Sequence, residues 1–155
     1  MLDLNDSNKD GQLARNLELF QGAKVVCGGT TANIIARELH KKIITHINHF
    51  KSDLPPISEM ENIDLVTEGI LTIGKTLKLL EEGFDGNLNP QDPAVQLCSL
   101  LASHDEVHFV VGTKVNEAHQ DPALPVELEI RRNVIKKIAQ ILEEKYLKKT
   151  IIEYI

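Results

Sequence analysis

The sequence lacks the features that mark several large classes of protein. It has no apolar run near the roughly 20 residues of a membrane-spanning helix, and it begins Met-Leu-Asp-Leu-Asn-Asp, which is acidic where a signal peptide would be basic. It has no basic block interleaved with aromatic residues, and its net charge is −6. These absences predict a cytoplasmic protein whose partners include neither nucleic acid nor a membrane.

Cysteine is also scarce, and no pair is spaced as C-x-x-C. Cys27 and Cys98 are therefore expected to be thiols of a reducing compartment, with a disulfide as the lesser alternative. The sequence shows no Ser-His-Asp order and no paired-carboxylate signature, so no familiar hydrolase mechanism is indicated.

The polar N-terminus contains a near-match to a calcium-binding loop, with Asp6, Asn8 and Asp10 followed by Gly11. In such a loop the twelfth position carries a bidentate acid, but here that position is Leu17. We therefore interpret residues 1–20 as a polar lead-in with a short helix near residues 13–20, and we predict no metal site.

The remaining residues, 21–155, are predicted to form a single domain, since 155 residues suit one core. Apolar runs alternate with amphipathic stretches, which predicts an α/β fold: three-layer, with a mostly parallel open sheet and helices on both faces. Strands are predicted at residues 24–27, 43–48, 63–66, 107–111 and 150–155. Helices are predicted from residue 31, at 70–83, from Pro93 with Asp92 as its cap, and at 126–146. Connecting loops are predicted at 51–62 and 84–90.

The most informative stretch is the turn after the first strand, where Gly28-Gly29 is followed by Thr30-Thr31. Glycine allows a sharp turn and a close approach by a ligand, and either threonine would supply an N-cap oxygen to the next helix. The first N–H groups of that helix would favour an anion. A plain connection is the alternative, because the P-loop lysine and the G-x-G-x-x-G spacing are both absent.

Ligands of open parallel sheets bind outside the carboxyl ends of the strands. Three predicted loops, at residues 27–33, 67–69 and 112–120, meet that condition. Together they give the candidate ligand-binding residues Gly28, Gly29, Thr30, Thr31, Asn33, Thr67, Glu68, Gly69, Lys114, Asn116 and His119.

Each group of these residues would have a different role in binding an anionic small molecule. Lys114 would neutralise the charge bound at the glycine turn, and Glu68, Asn116 and His119 would orient the rest of the ligand. Glu68 and His119 are also candidate catalytic acids or bases, although Glu68 would equally stabilise a helix N-terminus. A metal cluster of Cys27, Glu68 and His119 has no ligand-spacing motif behind it, and no cofactor is evident.

Three blocks of the chain together resemble a known family. They are Cys-Gly-Gly-Thr-Thr-Ala-Asn-Ile-Ile-Ala-Arg at 27–37, Ile-Asp-Leu-Val-Thr-Glu-Gly-Ile-Leu-Thr at 63–72 and Asn-Glu-Ala-His-Gln-Asp-Pro-Ala-Leu-Pro at 116–125. In this order they resemble the C-terminal region of bacterial stage II sporulation protein E-like, metal-dependent serine/threonine phosphatases, over residues 20–155. The glycine turn is also similar to the phosphate-binding loop of sugar-phosphate isomerases and of related sugar-responsive repressors.

The resemblance implies an accessory region without the phosphatase active site. In that family the metal-binding aspartates, and hence Mg²⁺ or Mn²⁺, belong to an earlier catalytic domain; here Asp85-Gly86 is the one Asp-Gly pair beyond the N-terminal tail. The expected function is regulation of a phosphatase catalytic domain by an anionic, phosphorylated ligand. The alternatives are a stand-alone enzyme acting on a phosphorylated metabolite and a protein-interaction domain that forms a homodimer.

Overall fold

The computed structural model describes residues 4–46, 53–84, 88–112 and 124–155, and for residues 4–8, 124 and 125 it describes the backbone only. Contacts between residues divide the chain into two compact units, Met1–Gly69 and Ile70–Ile155. Each unit is described by itself below.

The first unit contains a four-stranded mixed sheet in the order β1-β4-β3-β2. β1 pairs with β4 in parallel, whereas β4 with β3 and β3 with β2 are antiparallel. β3 and β4 form a hairpin, and Asn62 in its turn takes a φ of 62°, which asparagine tolerates better than most residues. The elements of this unit are α1 (Leu4–Leu19), β1 (Val25–Cys27), α2 (Gly29–Glu38), β2 (Ile44–Thr45), β3 (Ser58–Met60) and β4 (Ile63–Thr67).

The core of the first unit lies between α2 and the sheet. Ile35 of α2, Val26 of β1 and Val66 of β4 are each 2–3% exposed and belong to one apolar cluster. This cluster forms because α2 presents one apolar face to the alternating inward side chains of the strands.

α1 packs against α2, and Leu17 of α1 also packs against that apolar cluster. Ala14 is fully buried, and Arg37 of α2 binds Asp10 of α1 at 2.9 Å and Glu38 at 3.0 Å. The helix predicted near residues 13–20 is longer than expected, since α1 spans Leu4–Leu19. Asp10 and Gly11 of the near-match to a calcium loop lie inside α1, where a helical backbone cannot fold around one ion.

The described residues of the second unit form three helices and a pair of parallel strands. β5 and β6 pair from Glu106 with Lys149 to Val111 with Tyr154, and α3 packs against both α4 and α5. Its elements are α3 (Ile70–Glu82), α4 (Pro93–Ser103), β5 (Glu106–Val111), α5 (Leu124–Glu144) and β6 (Lys149–Tyr154).

Asp92 begins α4 as the sequence predicts. Its Oδ1 accepts a hydrogen bond from the Ala94 N–H at 2.8 Å, and Pro93 occupies the first helical position, where the missing N–H costs nothing. Oδ2 of Asp92 also binds Lys75 of α3. Cys98, on the same helix, is fully buried; that burial, and secondarily the negative charge of Asp92, raises the pKa of its thiol to about 12.

The α/β class predicted from the sequence is confirmed. The described strands form two hydrogen-bonded sheets, in which β1–β4 and β5–β6 are parallel, where the sequence predicted one open sheet. β3 lies within residues 51–62, which the sequence predicted to be a loop. Pro55-Pro56 favoured that prediction, and a strand of only three residues is too short to show a pattern. The single domain at residues 21–155 stays a prediction.

We expect Asp92→Ala to lower the free energy of unfolding by roughly 1–3 kcal/mol, because it removes the α4 cap and the ion pair with Lys75. Asp92→Asn keeps an acceptor for the Ala94 N–H and should lose less. Urea unfolding followed by circular dichroism measures both variants. Equal losses for the two would show that the cap contributes nothing.

Candidate functional site

The parallel pairing of β1 with β4 positions the candidate site in the first unit. The Cα atoms of Cys27 and Thr67, the last residues of the two strands, are direct partners in the ladder. The carboxyl ends of two paired parallel strands lie at the same end of a sheet. The glycine turn, which follows β1, and the Thr67-Glu68-Gly69 loop, which follows β4, therefore lie side by side. Two of the three predicted loops are therefore adjacent.

Gly28 connects β1 to both β4 and α2. Its N–H donates a hydrogen bond to the Thr67 carbonyl at 2.9 Å, and its own carbonyl accepts one from the Ala32 N–H at 3.0 Å. Its backbone has φ 123° and ψ 132°, a conformation that residues with a Cβ rarely adopt. The turn therefore requires glycine at this position.

The prediction that Thr30 or Thr31 caps α2 is wrong. The N-cap is Gly28, and α2 begins at Gly29, so both threonines lie in the first helical turn. The helix begins early because the Gly28 carbonyl already accepts a hydrogen bond from the Ala32 N–H. α2 consequently has no side-chain cap on its first N–H groups.

This uncapped helix end is electrostatically suited to an anion. The N–H groups of the first turn, at Gly29, Thr30 and Thr31, have no acceptor within the helix. No acidic residue lies in that turn, whereas Arg37 lies in the last one, so nothing on α2 offsets the positive end of its dipole.

The space in front of the turn is open. A Cβ built on Gly29 meets no heavy atom within 4 Å, and Gly29, Thr30 and Asn33 are exposed while Thr31 is half-buried. A ligand can therefore approach the backbone closely at Gly29.

The β4 side of the site is less open than the sequence suggested. Thr67 is 4% exposed, and its hydroxyl donates a hydrogen bond to the Glu68 carbonyl at 2.7 Å. Gly69 is buried too, and Glu68 is half-buried. Of these three residues, Glu68 is the least buried.

The remaining predicted site residues, Lys114, Asn116 and His119, lie outside the described residues. His49 also lies outside the described residues. His40 and His46 are exposed: His40 has a φ of 53°, and His46 pairs with Glu59 at 3.0 Å.

The described parts of the chain contain no group of three or more His, Cys, Asp or Glu side chains placed to hold a metal ion. Neither cysteine forms a disulfide bond, and Cys98 is buried while Cys27 is half-buried. Among the described helices, none is long and apolar enough to cross a membrane.

Comparisons of the chain with protein-family models, with curated proteins and with solved structures found no match.

The conformation of Gly28 predicts a sharp contrast between two adjacent glycines. Gly28→Ala should lower the free energy of unfolding by about 1–3 kcal/mol, because alanine is strained at this φ. Gly29→Ala should be neutral or slightly stabilising, since alanine is the better helix former and its methyl group meets no atom. Thermal unfolding of the two variants measures this, and equal effects would contradict the assigned turn geometry.

Proposed function

We infer that this chain is an accessory, regulatory region of a serine/threonine phosphatase of the stage II sporulation protein E-like type. It acts in the cytoplasm by binding an anionic, phosphorylated small molecule at the glycine turn, and it thereby controls a phosphatase catalytic domain. The family assignment rests on the three sequence blocks given above. Mg²⁺ or Mn²⁺ would belong to that catalytic domain.

One observation carries the ligand-binding part of the proposal. The first turn of α2 presents backbone N–H groups without a side-chain cap, beside a glycine that leaves open space for a ligand. Phosphate groups bind such helix ends through hydrogen bonds to backbone N–H groups and through the helix dipole.

The Glu68 carboxylate limits which classes of phosphorylated ligand suit the site. Its carboxylate follows the strand next to the turn and would repel a second anionic group, but it accepts hydrogen bonds from hydroxyl groups. A small molecule with one phosphate and neighbouring hydroxyls, such as a sugar phosphate, suits this arrangement better than a polyphosphate does.

Thermal-shift measurements against inorganic phosphate, sugar phosphates and nucleotides test the proposal. A ligand at 100 times its Kd stabilises the native state by about 2.7 kcal/mol, so a sugar phosphate should raise the melting temperature. Thr30→Val with Thr31→Val should reduce this shift, and Gly29→Ala should do so by placing a methyl group where the phosphate approaches. Thr45→Val, the same chemical change on the exposed strand β2, is the matched control.

The two alternatives give different results in the same experiments. A stand-alone enzyme acting on a phosphorylated metabolite would show turnover that Glu68→Gln or His119→Gln abolishes, while ligand binding remains. An interaction domain would show no shift with any ligand, and its oligomeric state would change when an exposed helix face is altered. Metal-dependent release of phosphate from phosphoserine peptides by this chain would contradict the proposal.

A further inference from the structure

The inward face of α5 is apolar from Ile135 to Leu142 and carries two arginines one turn nearer the N-terminus. Ile135, Ile138 and Leu142 are each 9% exposed or less and face the interior of the second unit. One turn nearer the N-terminus, Arg131 precedes Ile135 by four residues and Arg132 precedes it by three. Residues at these spacings share a helix face, so two arginines continue an apolar stripe.

Both arginines are half-buried, and their Nε atoms are buried without a hydrogen-bond partner. The described residues provide no carboxylate that pairs with either guanidinium. A buried N–H group without a hydrogen-bond partner is costly. An oxyanion that accepts hydrogen bonds from these Nε–H groups would remove that cost.

A contact with Tyr154 places Arg132 relative to the strands. The Cζ of Arg132 lies 6.0 Å from the centroid of the Tyr154 ring, within the range of a cation–π interaction. Tyr154 ends β6 and is the ladder partner of Val111, the last residue of β5. Arg132, on the same helix turn as Arg131, therefore lies at the carboxyl end of a parallel strand pair, which is where α/β proteins bind small ligands.

We propose that Arg131 and Arg132, with Tyr154 stacked on the second, form a binding site for the phosphate or carboxylate group of a small molecule. Guanidinium groups bind both oxyanions through paired hydrogen bonds. The site lies within the second unit and does not rest on the function proposed for the glycine turn.

Titration of the ¹⁵N-labelled full-length chain with inorganic phosphate, and separately with acetate, tests this site at constant ionic strength. The Nε–H signals of Arg131 and Arg132 should shift and saturate with at least one of the two anions. The anion that acts distinguishes a phosphate ligand from a carboxylate ligand. Absence of a saturable shift with both anions would overturn the proposal.

Two variants separate a specific site from general positive charge. Arg132→Lys keeps the charge but loses the planar pair of donors, and it should raise the midpoint of the titration about tenfold or more. Lys137→Gln, which removes a charge from the exposed face of α5, should leave the midpoint unchanged. Equal weakening in both would contradict the proposal. Thr30→Val with Thr31→Val should not alter the midpoint, so failure at the glycine turn is distinguishable from failure here.

Discussion

The hydrogen bond from the Gly28 N–H to the Thr67 carbonyl is the interaction on which the candidate site depends. It extends the parallel ladder of β1 and β4 by one residue beyond the strands, and so fixes the glycine turn beside the loop that carries Glu68. Without it, the start of α2 would be held to the end of β4 only through the preceding ladder pairs, which end at Cys27 and Thr67. The core between α2 and the sheet supports the same pairing, because Val26 and Val66 are ladder partners within it.

The conformation of Gly28 has a second consequence, which is electrostatic. Since this glycine, and not a threonine, is the N-cap of α2, the helix begins with backbone donors and no side-chain acceptor. A serine or aspartate at the N-cap would satisfy one of those donors and compete with a ligand. The glycine therefore shapes the turn and leaves the helix end available to an anion.

Features set by short-range chemistry could be predicted from the sequence. The Asp92-Pro93 start of α4, the end of α3 near Gly83 and the strands β5 and β6 lie where capping residues and apolar spacing indicate. Features set by tertiary contacts could not. β3 is too short for its pattern to show, the N-cap at Gly28 depends on a hydrogen bond to a residue 39 positions away, and Arg131 and Arg132 resemble the exposed charges of any amphipathic helix. The residue types at the glycine turn indicated a ligand site, but the lack of a side-chain cap was visible only in the fold.

Amide hydrogen exchange at residues 28–31, measured by NMR, tests the central claim most directly. If β1 and β4 are joined at this turn, the N–H of Gly28 should exchange slowly, because it is buried and bonded to the Thr67 carbonyl. The N–H groups of Gly29 and Thr30 should exchange fast, because α2 provides them with no acceptor. Fast exchange at Gly28, or strong protection at Gly29 and Thr30 in the ligand-free chain, would contradict the account.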